Sequence, residues 1–132
     1  MFRRWTWKDE THRVKRAAKK GNFNSIGHAA ASIRRAAMRL IRRSKTKPSP
    51  PGQPPRTRAG LLRKAIVFDV DKRRERAIIG PRASVVGTAG AAHEHGGQYK
   101  GQRFPQRSFM GPALETSAPR LGRHWKGSII GP

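Results

Sequence analysis

Cysteine is absent from the sequence, which excludes disulfides, thiolate zinc sites, iron–sulfur clusters and thiol nucleophiles together. Acidic residues are scarce as well, 7 against 30 lysines and arginines, so the formal net charge is +23. A chain of this charge is expected to meet a polyanion or an acidic protein surface. Its self-repulsion disfavours a compact isolated monomer and favours an assembly that supplies counter-charge. Long hydrophobic runs are also missing. The longest aliphatic or aromatic stretch is Ala65-Ile66-Val67-Phe68, far below the roughly 20 residues of a membrane helix, so no membrane contact is expected. Residues 1 to 20 carry no apolar core of the length a secretory signal requires.

The 132 residues suffice for one small domain with tails. Residues 1–24 read as a basic arm in which Phe2, Trp5, Trp7 and Phe23 sit among lysines and arginines. Such an arm is either solvated, as charge blocks commonly are in isolation, or docks its tryptophans on a neighbouring subunit while its cations meet phosphate or carboxylate.

The domain proper is expected over 25–128. In "SIGHAAASIRRAAMRLIRRS", residues 25–44, Ile26, Ala30, Ile33, Ala37, Leu40 and Ile41 recur at helical spacing. Arg34, Arg35, Arg39, Arg42 and Arg43 fill the other face as candidate contacts for a polyanion or an acidic partner, and Ser25 is the expected N-cap. Five prolines between Pro48 and Pro55 forbid a helix or central strand, so 46–59 is predicted to be an extended loop.

Ile66, Phe68 and Val70 then alternate with Ala65, Val67 and Asp69 as in a strand. Asp71-Lys72-Arg73-Arg74 makes a turn and Arg76 to Gly80 the returning strand, with Pro81 ending the pairing. Val85-Val86 predicts a further extended piece. Residues 96–108 form a glycine-rich loop. A last helix follows, with Pro112 in its first turn, Leu114, Ala118, Leu121 and Trp125 on its apolar face, and a kink or break at Pro119. Residues 129–132 are a tail. The expected class is α+β: a long amphipathic helix packed on a small antiparallel sheet, a C-terminal helix and an extended basic arm.

Chemistry-bearing motifs are few. His93 and His95, at i and i+2, would point the same way on a strand and in principle grip one metal. His12, His28 and His124 have no metal-ligand spacing to them, so no metal site is assigned. Glu94, between the two histidines, fits either a general base or an ion-pair partner for arginine. There is no phosphate-binding Gly-Lys-Ser/Thr loop and no Gly-x-Ser-x-Gly elbow. The chain reads as a non-enzyme without cofactor. Zinc-finger, RRM and KH signatures are absent too, so any nucleic-acid contact would be mainly to phosphate.

Two stretches together resemble a known family. "GLLRKAI", residues 60–66, preceded by a helix and a variable loop, resembles the Gly-x-Leu-Arg-x-Ser-Ile element of small tailed-bacteriophage neck and tail-completion proteins, which join the head connector to the tail. "HEHGG", residues 93–97, followed by "FPQRSFMGPALE", residues 104–115, resembles the second signature of that family. Pro105, Arg107, Phe109, Met110, Pro112, Ala113 and Leu114 occupy its Pro-x-Arg-x-Phe-Leu-x-Pro-Ala-Leu places. Ala65, His95 and Ser108 stand where the family has serine, an aromatic and proline.

The resemblance implies an α+β protomer in a homo-oligomeric ring of six or twelve subunits at the head–tail junction of a virion assembled in the host cytoplasm. Its partners would be connector and tail proteins, with non-specific contact to packaged DNA. Glu94, Gly96 and Gly97 become a turn that delivers the loop bearing Phe104 and Phe109. Phe109 is expected in the domain's own core and otherwise at a subunit interface. Charge, tails and missing cysteine also fit an RNA-binding protein of a ribosome-like assembly.

Overall fold

The computed structural model describes residues 9–128. Trp5, Trp7 and the tail from 129 lie outside the described residues.

The chain is α+β, built on one long helix. Helix α1, Thr11–Leu40, has 30 residues and is therefore about 45 Å long. It starts well before Ser25. Valine, alanines and lysines between residues 14 and 20 include strong helix formers, so the stretch read as an extended arm is helical from Thr11 onward. The Asp9 carboxylate accepts the Thr11 N–H at 2.9 Å, a capping role expected of Ser25. Ser25 instead lies in mid-helix, buried, on a stripe formed with Gly21, Ala29, Ala30, Ile33 and Ala37. Small side chains at this spacing let neighbouring elements approach closely.

Beyond α1 the proline-rich segment leaves and returns. Two short strands, β1 (Arg42–Arg43) and β2 (Arg56–Thr57), pair in parallel. A single turn of helix, α2 (Leu61–Ala65), leads into β3 (Ile66–Asp71), which pairs antiparallel with β4 (Arg76–Pro81). The predicted hairpin is present. Asp71 Oδ1 accepts the amides of Arg73 and Arg74 at 3.1 and 3.2 Å, which closes its turn. Pro81 is the last residue of the strand, opposite Ile66, rather than the first residue after it. The hairpin packs on α1, and the Arg34 Nε–H donates to the Ile66 carbonyl at 2.7 Å.

Val85 and Val86 are helical rather than extended. They fall in α3 (Ala83–Val86), one turn that buries Val86 in the core. The Arg82 N–H donates to the Ala65 carbonyl at 2.9 Å, which carries the β3–β4 ladder one pair beyond Ile66 and Pro81 before the chain turns into α3.

Helix α4, Ala89–His95, follows. The glycine-rich stretch is then a second small hairpin, β5 (Gly97–Tyr99) with β6 (Gln102–Phe104), turning on Lys100 and Gly101 at φ +50° and +75°. Two successive positive φ values fit a two-residue hairpin turn.

Helix α5, Met110–Leu121, runs back along α1, and a 3-10 turn, Gly122–Trp125, follows it. The helix continues through Pro119, which lacks the N–H that would donate to the Glu115 carbonyl, and within a turn it gives way to 3-10 geometry. The Trp125 indole N–H donates to the Asn22 amide oxygen at 2.9 Å, and the Ser25 hydroxyl donates to the His124 carbonyl at 2.8 Å. The C-terminal end is thus tied to α1 at Asn22 and Ser25, on either side of the boundary expected between arm and domain.

The core joins Ala37 and Ile41 to Leu62, Ala65, Ile66, Val86, Phe109 and Ala113, with Met38, Ile79 and Met110 packed around them. Phe109 is its largest member and is fully buried.

Candidate functional site: the Glu94 junction and the cationic cleft

Glu94 lies in the last turn of α4 and its carboxylate reaches the start of α5. Oε2 accepts the N–H groups of Phe109 at 2.9 Å and Met110 at 2.8 Å, and Oε1 accepts that of Gly111 at 2.9 Å. Helix N-termini leave such amides unpaired, and an anionic acceptor there also complements the helix dipole. Glu94 therefore caps a helix remote in sequence. Among the described residues it forms no ion pair with arginine.

The loop between the two helices is held just as closely. The Glu94 carbonyl accepts the Ser108 hydroxyl at 2.8 Å and the Gln106 side-chain amide at 3.1 Å. The Arg107 N–H donates to the His93 carbonyl at 2.7 Å, while its Nε–H donates to the Ser49 carbonyl at 2.8 Å. The Gly52 N–H donates to the Gln106 carbonyl at 2.8 Å. Arg107 thus bridges α4 to the proline-rich loop, which lies on its own domain with Ser49 and Pro55 buried. Gly96, at φ +72° and ψ 176°, makes the exit from α4, and a Cβ there would stand 3.1 Å from the Gln106 amide nitrogen.

His93 and His95 are helical, not on a strand. Residues two apart on a helix diverge around its axis, so the pair cannot grip one metal as i, i+2 strand neighbours would. His93 is half-buried, its Nδ1 without a hydrogen-bond partner in the structure, and burial followed by the Arg107 charge holds its pKa below 6.5. Among the described residues no three potential metal-ligating side chains cluster.

The aromatics separate. Phe109 is in the core, whereas Phe104 is half-buried against Tyr99 with ring centroids 6.3 Å apart.

The helix arginines divide as well. Arg34 is partly buried on the Ile66 carbonyl, which makes it a tie between α1 and the sheet rather than a free contact. Arg43, though exposed, donates to the Arg58 carbonyl at 3.0 Å. Arg35 and Arg39 border a cleft of about 430 Å³ between α1 and α5, across from Arg120 and Arg123. Arg42 borders an adjoining cavity of about 310 Å³ with Arg56, and Arg39 lines both. Sequence reasoning missed Arg56, Arg120 and Arg123. For the last two a signal existed in the helical spacing from Ala113 through Thr116 and Ser117 to Arg120 and Arg123.

No helix among the described residues is long and apolar enough to cross a membrane. No protein-family model, curated protein or solved structure matches the chain at a significant level.

Proposed function

We propose that the chain is a structural, non-enzymatic virion protein that forms a ring in the neck of a tailed phage and joins the head connector to the tail. One observation carries the reading. The two stretches that resemble the neck and tail-completion family, 60–66 and 93–114, are remote in sequence yet share one core through Leu62, Ala65, Ile66, Phe109 and Ala113. Their co-occurrence has a physical basis if both belong to one structural unit.

Surface features agree with a protomer that needs neighbours. The β3–β4 sheet has two strands, so among the described residues no third strand pairs with either edge, and beyond the Ile66 carbonyl held by Arg34 the geometry suits pairing with another chain. Ile78 is 62% exposed and Leu61 and Leu114 50%. The three ion pairs among the described residues engage Arg13, Arg74 and Arg76, which leaves most of the described lysines and arginines to meet charge from outside. Head-to-tail contacts of one open edge with a different surface of the next copy close into a ring when the rotation permits.

Native mass spectrometry and electron microscopy of the purified chain test this reading. A closed ring, six or twelve subunits by resemblance, is the expected result, together with presence of the chain at the head–tail junction of particles. A chain that stays monomeric at high concentration and is missing from particles would sink it.

A further inference from the structure

The cleft between α1 and α5 has a composition that the ring reading does not require. Arg35 and Arg39 face it from one wall, Arg120 and Arg123 from the other, and Ser117 and Thr116 lie between them. Arg39 carries the cationic lining on into the adjoining cavity with Arg42 and Arg56. From Arg35 to Arg42 the chain rises about 10 Å along α1 and its end. The whole sequence has seven acidic residues, and none lines either cavity. No carboxylate among the described residues lies within ion-pair distance of these six arginines.

The cations here are all arginine. Guanidinium is less strongly hydrated than ammonium and meets phosphate oxygens with two parallel N–H donors. Like charges gathered in a concave site raise each other's energy until an anion enters, so the arrangement favours a ligand with several negative charges over single ions. The lining also lacks aromatic residues. Single-stranded nucleic acid is commonly held by bases stacked on aromatic rings, and nothing here provides that. A duplex, which presents phosphates outward and keeps its bases stacked, needs only the cations.

We propose that the arginine-lined cleft between α1 and α5 binds the phosphodiester backbone of a nucleic-acid duplex, without sequence preference. The inference rests on the cleft's own chemistry and stands whether or not the chain forms a ring.

Because a chain of charge +23 attracts any polyanion, the test compares two variants of equal charge. In one, Arg35, Arg39, Arg120 and Arg123 are replaced by Gln. In the other, the exposed Arg63, Arg73, Arg82 and Arg103 are replaced by Gln. Binding of the full chain to a fluorescent 20-base-pair DNA duplex is followed by anisotropy over a series of salt concentrations, with circular dichroism as the check on folding. The cleft variant is expected to bind at least about tenfold more weakly near physiological salt and to lower the slope of log K against log salt by about 3 to 4. The control variant should lose no more than about threefold.

Equal losses in the two variants would overturn the proposal and leave diffuse charge as the cause. So would a polyglutamate chain of matched charge that binds the wild type as tightly as the duplex and loses as much in the cleft variant, since the site would then be one for acidic protein. If the cleft variant does not fold, single replacements Arg39→Gln and Arg123→Gln carry the same comparison against Arg63→Gln, and equal affinities among the three overturn it.

Discussion

The carboxylate of Glu94 and the backbone N–H of Met110 are joined by a 2.8 Å hydrogen bond that spans sixteen residues of chain. With the bonds to Phe109 and Gly111, this side chain supplies a cap that the sequence immediately before α5 does not. Phe109, at the cap position, has no side-chain oxygen and is buried in the core instead. One residue of α4 therefore sets both where α5 begins and how deep Phe109 sits.

Replacing Glu94 by Ala should cost about 2–3 kcal/mol, the loss of a charge-assisted cap at a half-buried helix end. Glu94→Gln should recover part of this, because one oxygen still accepts from two amides while the NH₂ group is turned toward the Gly111 N–H. Urea unfolding measures both. Equal stability of wild type and Glu94→Ala would show that solvent can replace the cap.

Gly96→Ala should destabilise by about 1–3 kcal/mol, since φ +72° with ψ 176° is a region essentially restricted to glycine. The new Cβ would also press on the backbone of Gln106 at 3.1 Å. Gly101→Ala, at φ +75° but in open space, should cost less, about 1 kcal/mol. Thermal or urea denaturation of the pair separates the two effects, and equal costs would remove the role given to the Gln106 contact.

The legible and illegible parts of this fold differ in the size of the signal. Ile33, Ala37 and Ile41 mark the buried face of α1 with ordinary helical spacing, and Ile66 to Val70 mark β3 by alternation. Both are periodic over enough residues to be read. The first part of α1 buries Gly21 and Ser25, residues that carry no hydrophobic signal, so in the sequence its basic composition dominates and reads as an arm. Helix α4 has seven residues, too few for period 3.6 to be told from period 2, so His93 and His95 read equally well as the i, i+2 neighbours of a strand. The capping role of Glu94 depends on amides 15 to 17 residues away, and no local pattern encodes that. Phe109 could be assigned to the core, but its anchor could not.

Acid should weaken the fold through His93. Its folded pKa is held below the unfolded value of 6.5, first by burial and then by Arg107. The contribution from the neutral imidazole is complete above pH 6.5. Between 6.5 and the lower folded pKa the unfolded chain binds more protons, so stability falls as pH falls through that window and levels off beneath it. Urea midpoints between pH 7.5 and 5 should show the decline, and His93→Gln should flatten it. An unchanged slope in that variant would assign the acid sensitivity elsewhere.

Arg107→Ala should free the proline-rich loop without unfolding the domain. The lost contact is the 2.8 Å bond from Nε to the Ser49 carbonyl, and a hydrogen bond from a charged donor contributes about 1.5–3 kcal/mol. Hydrogen exchange at the Gly52 amide, which is protected by the Gln106 carbonyl, should accelerate by about tenfold or more, whereas amides of β3 and β4 should not change. Arg107→Lys should resemble Ala here, because an ammonium on a different stem cannot reproduce the planar Nε–H direction. Full protection of Gly52 in both variants would mean that the loop holds itself.

Ile78 gives the sharpest distinction between folding and assembly. It sits opposite Asp69 on the hairpin and is 62% exposed, so the isolated protomer gains little from burying it. Ile78→Glu should lower monomer stability by no more than about 1 kcal/mol, the cost of a carboxylate directly opposite that of Asp69. If that face of the sheet meets a neighbouring subunit in the proposed ring, a carboxylate there must be desolvated on assembly, which is costly unless it is paired. Sedimentation of the variant should then show protomers under conditions in which the wild type assembles, as the proposed ring requires. Ile78→Val keeps the apolar face and should assemble normally. Rings formed equally well by Ile78→Glu would move the subunit contact off this face of the hairpin, leaving its open strand edges and the exposed Leu61 and Leu114 as the surfaces to examine next.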